Sequence, residues 1–148
     1  MKKRVSCRAI IIENDKVFVI FRRKVKDNAV YEYYALPGGG KEENETLEET
    51  VIREIKEEFS IDIKILGYLG KDEKDNTITH FFHCERINGE FKLGGPELKR
   101  NNPNNYYEIT CVDIKDIYNI NTYYPHIIEK AYKREYEKRW YKCLLMKL

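Results

Sequence analysis

The sequence has no run long enough to span a bilayer, no paired cysteines and no excess of either charge. A membrane helix needs roughly 20 apolar residues, and no stretch of the 148 residues approaches that. The start, MKKRVSCRAIIIEND, lacks a long apolar core followed by a cleavage site, so a cytoplasmic protein is expected rather than a secreted one. The four cysteines, Cys7, Cys84, Cys111 and Cys143, are widely spaced without a C-x2-C pair. That argues against a disulfide framework or a zinc site, and they read as reduced, buried thiols. Charge is plentiful but balanced, 27 basic against 25 acidic residues for a formal +2, which leaves no global field calling for nucleic acid or a membrane. Repeats, linkers and low-complexity tracts are also missing, and the length suits a single domain over 1–148.

Against this background, Gly38 to Ile61, GGGKEENETLEETVIREIKEEFSI, stands out. Leu47, Val51, Ile55 and Phe59 recur every fourth residue with Ile52 beside them, which predicts a helix from about Thr46 to Phe59 with those five residues facing the core. At roughly 100° per residue, with Leu47 at zero, the stripe covers about 0° to 140°, and Glu54, Glu57 and Glu58 fall near −20°, −80° and 20°. Three carboxylates therefore line the edge of a buried face. Acids suit the first turn, where the macrodipole favours them, so Glu48 and Glu49 are unsurprising. Glu57 and Glu58 stand at the wrong end, repel each other's neighbours, and are costly to bury unpaired. A bound cation resolves the conflict, and carboxylates on a rigid helix are the hard oxygen ligands that Mg²⁺ or Mn²⁺ prefers. The preceding Gly38-Gly39-Gly40 lets backbone approach a ligand closely.

Gly39, five residues, Glu45, seven residues and then Arg53-Glu54-Ile55-Lys56-Glu57-Glu58-Phe59-Ser60-Ile61 resembles the signature of the Nudix hydrolases, G-x5-E-x7-R-E-U-x-E-E-x-G-U. Every fixed position agrees except Ser60, where the family has glycine. If that position is left-handed, a non-glycine residue there costs on the order of 1 kcal/mol. The resemblance implies an α/β (α+β) fold, the Nudix α/β/α sandwich with a mixed sheet between two main helices. It also implies metal-dependent hydrolysis of a nucleoside diphosphate linked to a group X. Glu54, Glu57 and Glu58 are then the expected metal ligands, with the Gly38 carbonyl added by resemblance. Arg53, near −120° on the same wheel and so adjacent to Glu57, is expected to orient that carboxylate, and Glu45 to anchor the loop before the helix. For the general base, Glu54 is the first choice, with Glu97 and Glu108 as distant candidates.

Around this stretch, Val5 to Ile12 and Val17 to Phe21 read as a hairpin. Arg22, Arg23, Lys24 and Lys26 follow as a loop-like basic cluster that could draw in a phosphate-rich substrate. Tyr31 to Leu36 reads as a strand leading into the glycines, with Tyr31 and Tyr33 on one face and Tyr34 on the other. Any of these three rings could stack on a base, and Tyr34, with Arg22, Arg23 and Gly39, makes up the candidate substrate contacts. Ile61 to Leu69 and Thr77 to Arg86 read as strands, and Asn88-Gly89 signals a hairpin into Glu90 to Leu93. Gly94 to Asn105 reads as loop and Tyr106 to Val112 as the last strand. A helix is predicted from Pro125 to about Lys142, with Ile128, Ala131, Tyr132 and Trp140 as core contacts. His80 and His83 lie three apart in a strand, on opposite faces, which argues against joint metal ligation.

The expected partner is a small-molecule nucleotide. A non-catalytic nucleotide-binding module is disfavoured by the retained carboxylates. An RNA 5′-end pyrophosphohydrolase would want a basic, aromatic groove, whereas the cations of the last helix are interleaved with Glu129, Glu135 and Glu137. A homodimer is compatible with the resemblance.

Overall fold

The structure is a computed structural model that describes residues 2–146, with the side chains of Trp140 and Tyr141 outside the described set. The expectation that Trp140 is a core contact therefore falls outside the described residues. Seven strands, β1 (Arg4–Glu13), β2 (Lys16–Lys26), β3 (Ala29–Ala35), β4 (Gly38–Gly40), β5 (Asp62–Lys74), β6 (Thr77–Asn88) and β7 (Asn105–Asp113), accompany the helices α1 (Leu47–Phe59), α2 (Gly95–Arg100) and α3 (Pro125–Met146). The order β3-β2-β1-β6-β5 forms the main path, with β4 paired to β1 and β7 to β2. The β1–β6 pairing is parallel, from Arg4 opposite Thr77 to Ile11 opposite Cys84, and the crossover between these strands carries α1. The other pairings are antiparallel.

Alternation along β1 divides the core. Cys7, Ala9 and Ile11 pack with Val51, Ile55 and Phe59 of α1, while Ile10 and Ile12 pack with Ile128 and Ala131 of α3. The mixed sheet thus lies between α1 and α3, an α+β sandwich as expected. Ile52 does not join the core: it is 42% exposed, because the far edge of its helical stripe turns away from the sheet. Cys7 and Cys84 are buried as expected, whereas Cys111 and Cys143 are exposed.

Three hairpins are closed by Asn14-Asp15, Asp27-Asn28 and Asp75-Asn76, all six residues at positive φ, the conformation whose twist matches paired strands. The strands run further than their apolar cores suggest. Arg22, Arg23, Lys24 and Lys26 are therefore strand residues paired to β3, not a loop.

Asn88-Gly89 does not close a hairpin. Glu90 to Leu93 crosses the end of α1 instead, where Lys92 N–H donates to the Phe59 carbonyl at 3.0 Å and Gly94 N–H to the Glu58 carbonyl at 3.0 Å. The last carbonyls of a helix have no partner within it, and this segment supplies one. The loop expected from Gly94 to Asn105 contains the short helix α2.

Candidate active site

The site begins at the start of α1. Thr46 caps the helix, its hydroxyl accepting from Glu49 N–H at 3.1 Å while the Glu49 carboxylate accepts from Thr46 N–H at 3.0 Å. This capping box ties down the loop that leads in from the glycines. One turn on, Arg53 is the hub of the assembly. It donates to Glu45 at 2.6 Å and 3.0 Å, to the Gly40 carbonyl at 2.9 Å, to Glu54 at 3.1 Å and to Glu57 at 3.3 Å. A planar fork with five N–H donors can hold loop and helix together in this way, where an ammonium could not. The hydrogen bond from Arg53 holds the Glu45 carboxyl well below its usual range, at about 2. Glu45 also accepts from Glu42 N–H at 2.8 Å and from the Thr50 hydroxyl at 3.1 Å.

The glycine strand β4 lies against β1, with Gly38 opposite Arg8 and Gly40 opposite Ser6. Gly38 sits at φ +144, and a Cβ there would run into the Cys7 carbonyl; a Cβ on Gly39 would displace the Glu54 carboxylate that Arg53 holds. The two glycines therefore let backbone and carboxylates share one space. Glu58 is buried, 3% exposed, and its Oε1 accepts from Gly38 N–H at 3.3 Å. Burial, reinforced by the Glu97 charge, pushes its carboxyl up to about 8. Burial likewise raises the Glu54 carboxyl. Arg8 completes the wall, its Nη1 donating to the Leu36 carbonyl at 3.2 Å and the Gly38 carbonyl at 3.1 Å.

A cavity of about 700 Å³ opens here. It brings together Glu54, Glu57, Glu58, Gly38, Gly39, Arg22 and Glu97 of the expected residues, with Arg53 supporting the carboxylates from behind. Arg23, Tyr34 and Glu108 are not among its lining residues. Arg23 faces Glu32 at 4.0 Å. Tyr34 packs on the α3 side of the core and against Phe21, ring centroids 5.3 Å apart. Glu108 accepts from the Tyr106 hydroxyl at 3.1 Å. Of the three tyrosines expected to offer a ring, Tyr33 lines the cavity, and Tyr107, Tyr123 and Tyr124 complete its aromatic wall. The Arg22 guanidinium lies 3.6 Å from the centroid of the Tyr107 ring, and its Nη2 donates to Asn105 at 2.6 Å.

Sequence reasoning missed Arg4, Arg8, Lys74, Tyr107 and Tyr123. One signal was available: Arg8 interrupts the apolar middle of β1, and a charge in a central strand calls for a partner.

Among the described residues, no three His, Cys, Asp or Glu side chains converge into a preformed metal cluster. The donor set still fits a hard divalent cation whose remaining ligands are water and phosphate oxygens, because it is all oxygen and borders an open cavity. The buried Glu58, raised by desolvation and like charge, is the group that such a cation relieves.

The NUDIX domain profile matches residues 2–125. An ADP-ribose pyrophosphatase of Methanocaldococcus jannaschii is 39% identical over 90 residues, 57% of this chain and 52% of that protein, so the chain spans about half the length of this curated relative. Among solved structures, an ADP-ribose pyrophosphatase of Streptococcus suis aligns with TM-score 0.65 at 16% identity, covering 90% of this chain and 92% of that one. A MutT protein of Methanosarcina mazei aligns with TM-score 0.63 at 21% identity, covering 91% and 98%. At such identities the two structures speak for the fold alone, but the domain match covers most of the chain, and the protein belongs to the Nudix family.

Proposed function

We propose that residues 1–148 work as one domain that hydrolyses, with a divalent metal, the pyrophosphate linkage of a nucleoside diphosphate joined to a group X, as in a nucleoside triphosphate or ADP-ribose. The observation that carries this reading is the buried Glu58 beside Glu54 and Glu57, in direct contact with glycine backbone and lining one cavity. Family membership and the pyrophosphatase relative support it. The cavity volume also lies within the usual range for small-molecule sites.

Glu57 and Glu58, with Glu54 and the Gly38 carbonyl, would hold Mg²⁺ or Mn²⁺. When bound, the ion neutralises phosphate oxygens and makes a water easier to deprotonate. Arg53 keeps Glu57 and Glu54 from swinging away, through charged hydrogen bonds at 3.3 Å and 3.1 Å. Water attacks one phosphorus of the linkage, the bond from that phosphorus to the bridging oxygen breaks, and the two phosphate products separate. Glu54 takes the proton of the attacking water, its carboxyl raised by burial and so closer to the basicity the step requires. Glu97, which lines the same cavity near the end of α1, is the second candidate for this role. Glu108 points away and is a weaker one.

The test is product release with Mg²⁺ and then Mn²⁺ across canonical and oxidised nucleoside triphosphates, ADP-ribose, diadenosine polyphosphates, nucleotide sugars and 5′-triphosphate RNA. A preferred substrate lost in EDTA supports the reading. Metal binding without turnover on any of them favours a nucleotide-binding module.

A further inference from the structure

The cavity has two unlike ends. At one end Tyr33, Tyr107 and Tyr123 offer ring surface beside Arg22. The other end is built from the sheet. Lys74 on β5 is paired with Thr77 on β6, and Thr77 with Arg4 on β1, so the three side chains stand in one row on one face, since residues directly opposite each other share a face. Arg8 lies four residues along β1 on that same face, about 13 Å away by strand rise. Arg4 spans part of this gap, its guanidinium folding back over Gly40 with Nη2 3.5 Å from where a Cβ would stand. Ser6 and Thr79, whose hydroxyls are 3.2 Å apart, fill the floor between.

These cations lack carboxylate partners among the described residues. The acids close by are engaged elsewhere: Glu73 pairs with Lys3 at 2.9 Å and Lys71 at 3.9 Å, and Asp72 accepts from the Tyr124 hydroxyl at 3.1 Å. Asp75, in the tight turn after Lys74, lines the cavity beside the row, and Glu58 stands near Arg8, the two meeting at Gly38. Arg8 spends Nη1 on two carbonyls, which fixes its plane and leaves the rest of its fork for the cavity. Arg4, Lys74 and a hydroxyl row against Asp75, with Arg8 shared with Glu58 across Gly38, leave this end with an excess of positive charge that suits a polyanion. They do not suit a neutral sugar, which would leave them unpaired.

We propose that the row Arg4, Thr77 and Lys74, together with Arg8, is an anion subsite for X where X is itself a phosphate. The nucleoside then lies at the tyrosine end, and the preferred substrate is a nucleoside polyphosphate rather than a nucleoside diphosphate capped by a neutral sugar. This inference rests on the pyrophosphohydrolase reading and extends it.

The experiment compares kcat/KM for ATP and ADP-ribose in the full-length protein and in Arg4→Gln, Lys74→Gln and the double variant; Arg4 and Lys74 are exposed, so their replacement leaves the core intact. The expected result is a wild-type preference for ATP that falls about tenfold with each substitution, mostly through KM, and is restored by Arg4→Lys. A wild-type preference for ADP-ribose, or an unchanged ratio in the double variant, overturns the subsite. Should neither substrate turn over with Mg²⁺ or Mn²⁺, the pyrophosphohydrolase reading is the one that fails. Calorimetry with inorganic tripolyphosphate then judges the subsite separately: binding weakened in the double variant supports it, and binding that is absent or unchanged overturns it.

Discussion

Ser60 is the position where this chain departs from its family's signature, and a pair of substitutions there isolates what the departure costs. The residue ends α1 at φ 62, ψ 26, with its N–H donating to the Lys56 carbonyl at 3.1 Å. A left-handed conformation costs an L-residue roughly 1–2 kcal/mol. The serine recovers part of this, because its hydroxyl donates to the Lys92 carbonyl at 2.8 Å, a bond worth about 0.5–1.5 kcal/mol. That bond also pins the segment that caps the end of α1. Ser60→Gly removes the strain, loses the hydrogen bond and adds about 0.4–1 kcal/mol of chain entropy to the unfolded state, so its net effect lies within about 1 kcal/mol of zero. Ser60→Ala loses the bond and keeps the strain, a destabilisation of about 1 kcal/mol, or about 3 °C in Tm for a chain of this size. Urea titration and calorimetry of the two variants provide the measurement. Alanine more stable than glycine at this position by about 0.4–1 kcal/mol would refute the account, since chain entropy alone would then separate the two variants and the left-handed backbone would carry no penalty here.

Glu58→Gln should stay folded, because it is isosteric and buried, yet lose metal affinity and at least about 10²-fold in turnover; metal titration and steady-state kinetics read both. In the metal-free protein, burial raises the Glu58 carboxyl from 4.5 to about 8. The folded state then holds a proton that the unfolded chain has released, so stability should fall as pH rises from about 4.5 through about 8, and rise again on acidification. Thermal midpoints across that window should show the decline in wild type and a shallower one in Glu58→Gln. Native thiol labelling should modify Cys111 and Cys143, which are exposed, and spare Cys7 and Cys84, which are buried and whose thiols burial pushes up to about 11 and about 12. Mass spectrometry of the labelled peptides decides this.

The helix and its acids were legible in the residues alone because the information is local. Apolar spacing set the face of α1 and its start near Thr46, and the position of Glu57 and Glu58 on the buried edge raised the expectation of a cation site before any fold was known. Where local signals competed with longer-range ones, the longer-range ones prevailed. Asn88-Gly89 is a good hairpin turn, but the unpaired carbonyls of Glu58 and Phe59 drew the following segment across the helix end. Ile52 has the right period but lies beyond the edge of the contact. Tyr34 and Tyr33 are neighbours in sequence, and which of them meets the cavity depends on which face of β3 the sheet turns inward. Arg8, Arg4 and Lys74 carry no motif. They meet because β1 pairs in parallel with β6 on one side and with the glycine strand on the other, and β6 in turn with β5. The sequence by itself determined the placement of the acids on one helix, since that depends on contacts three and four residues apart. Only the tertiary structure decided what faces that helix across the cavity, because those residues are brought there by pairing between strands some 70 positions apart.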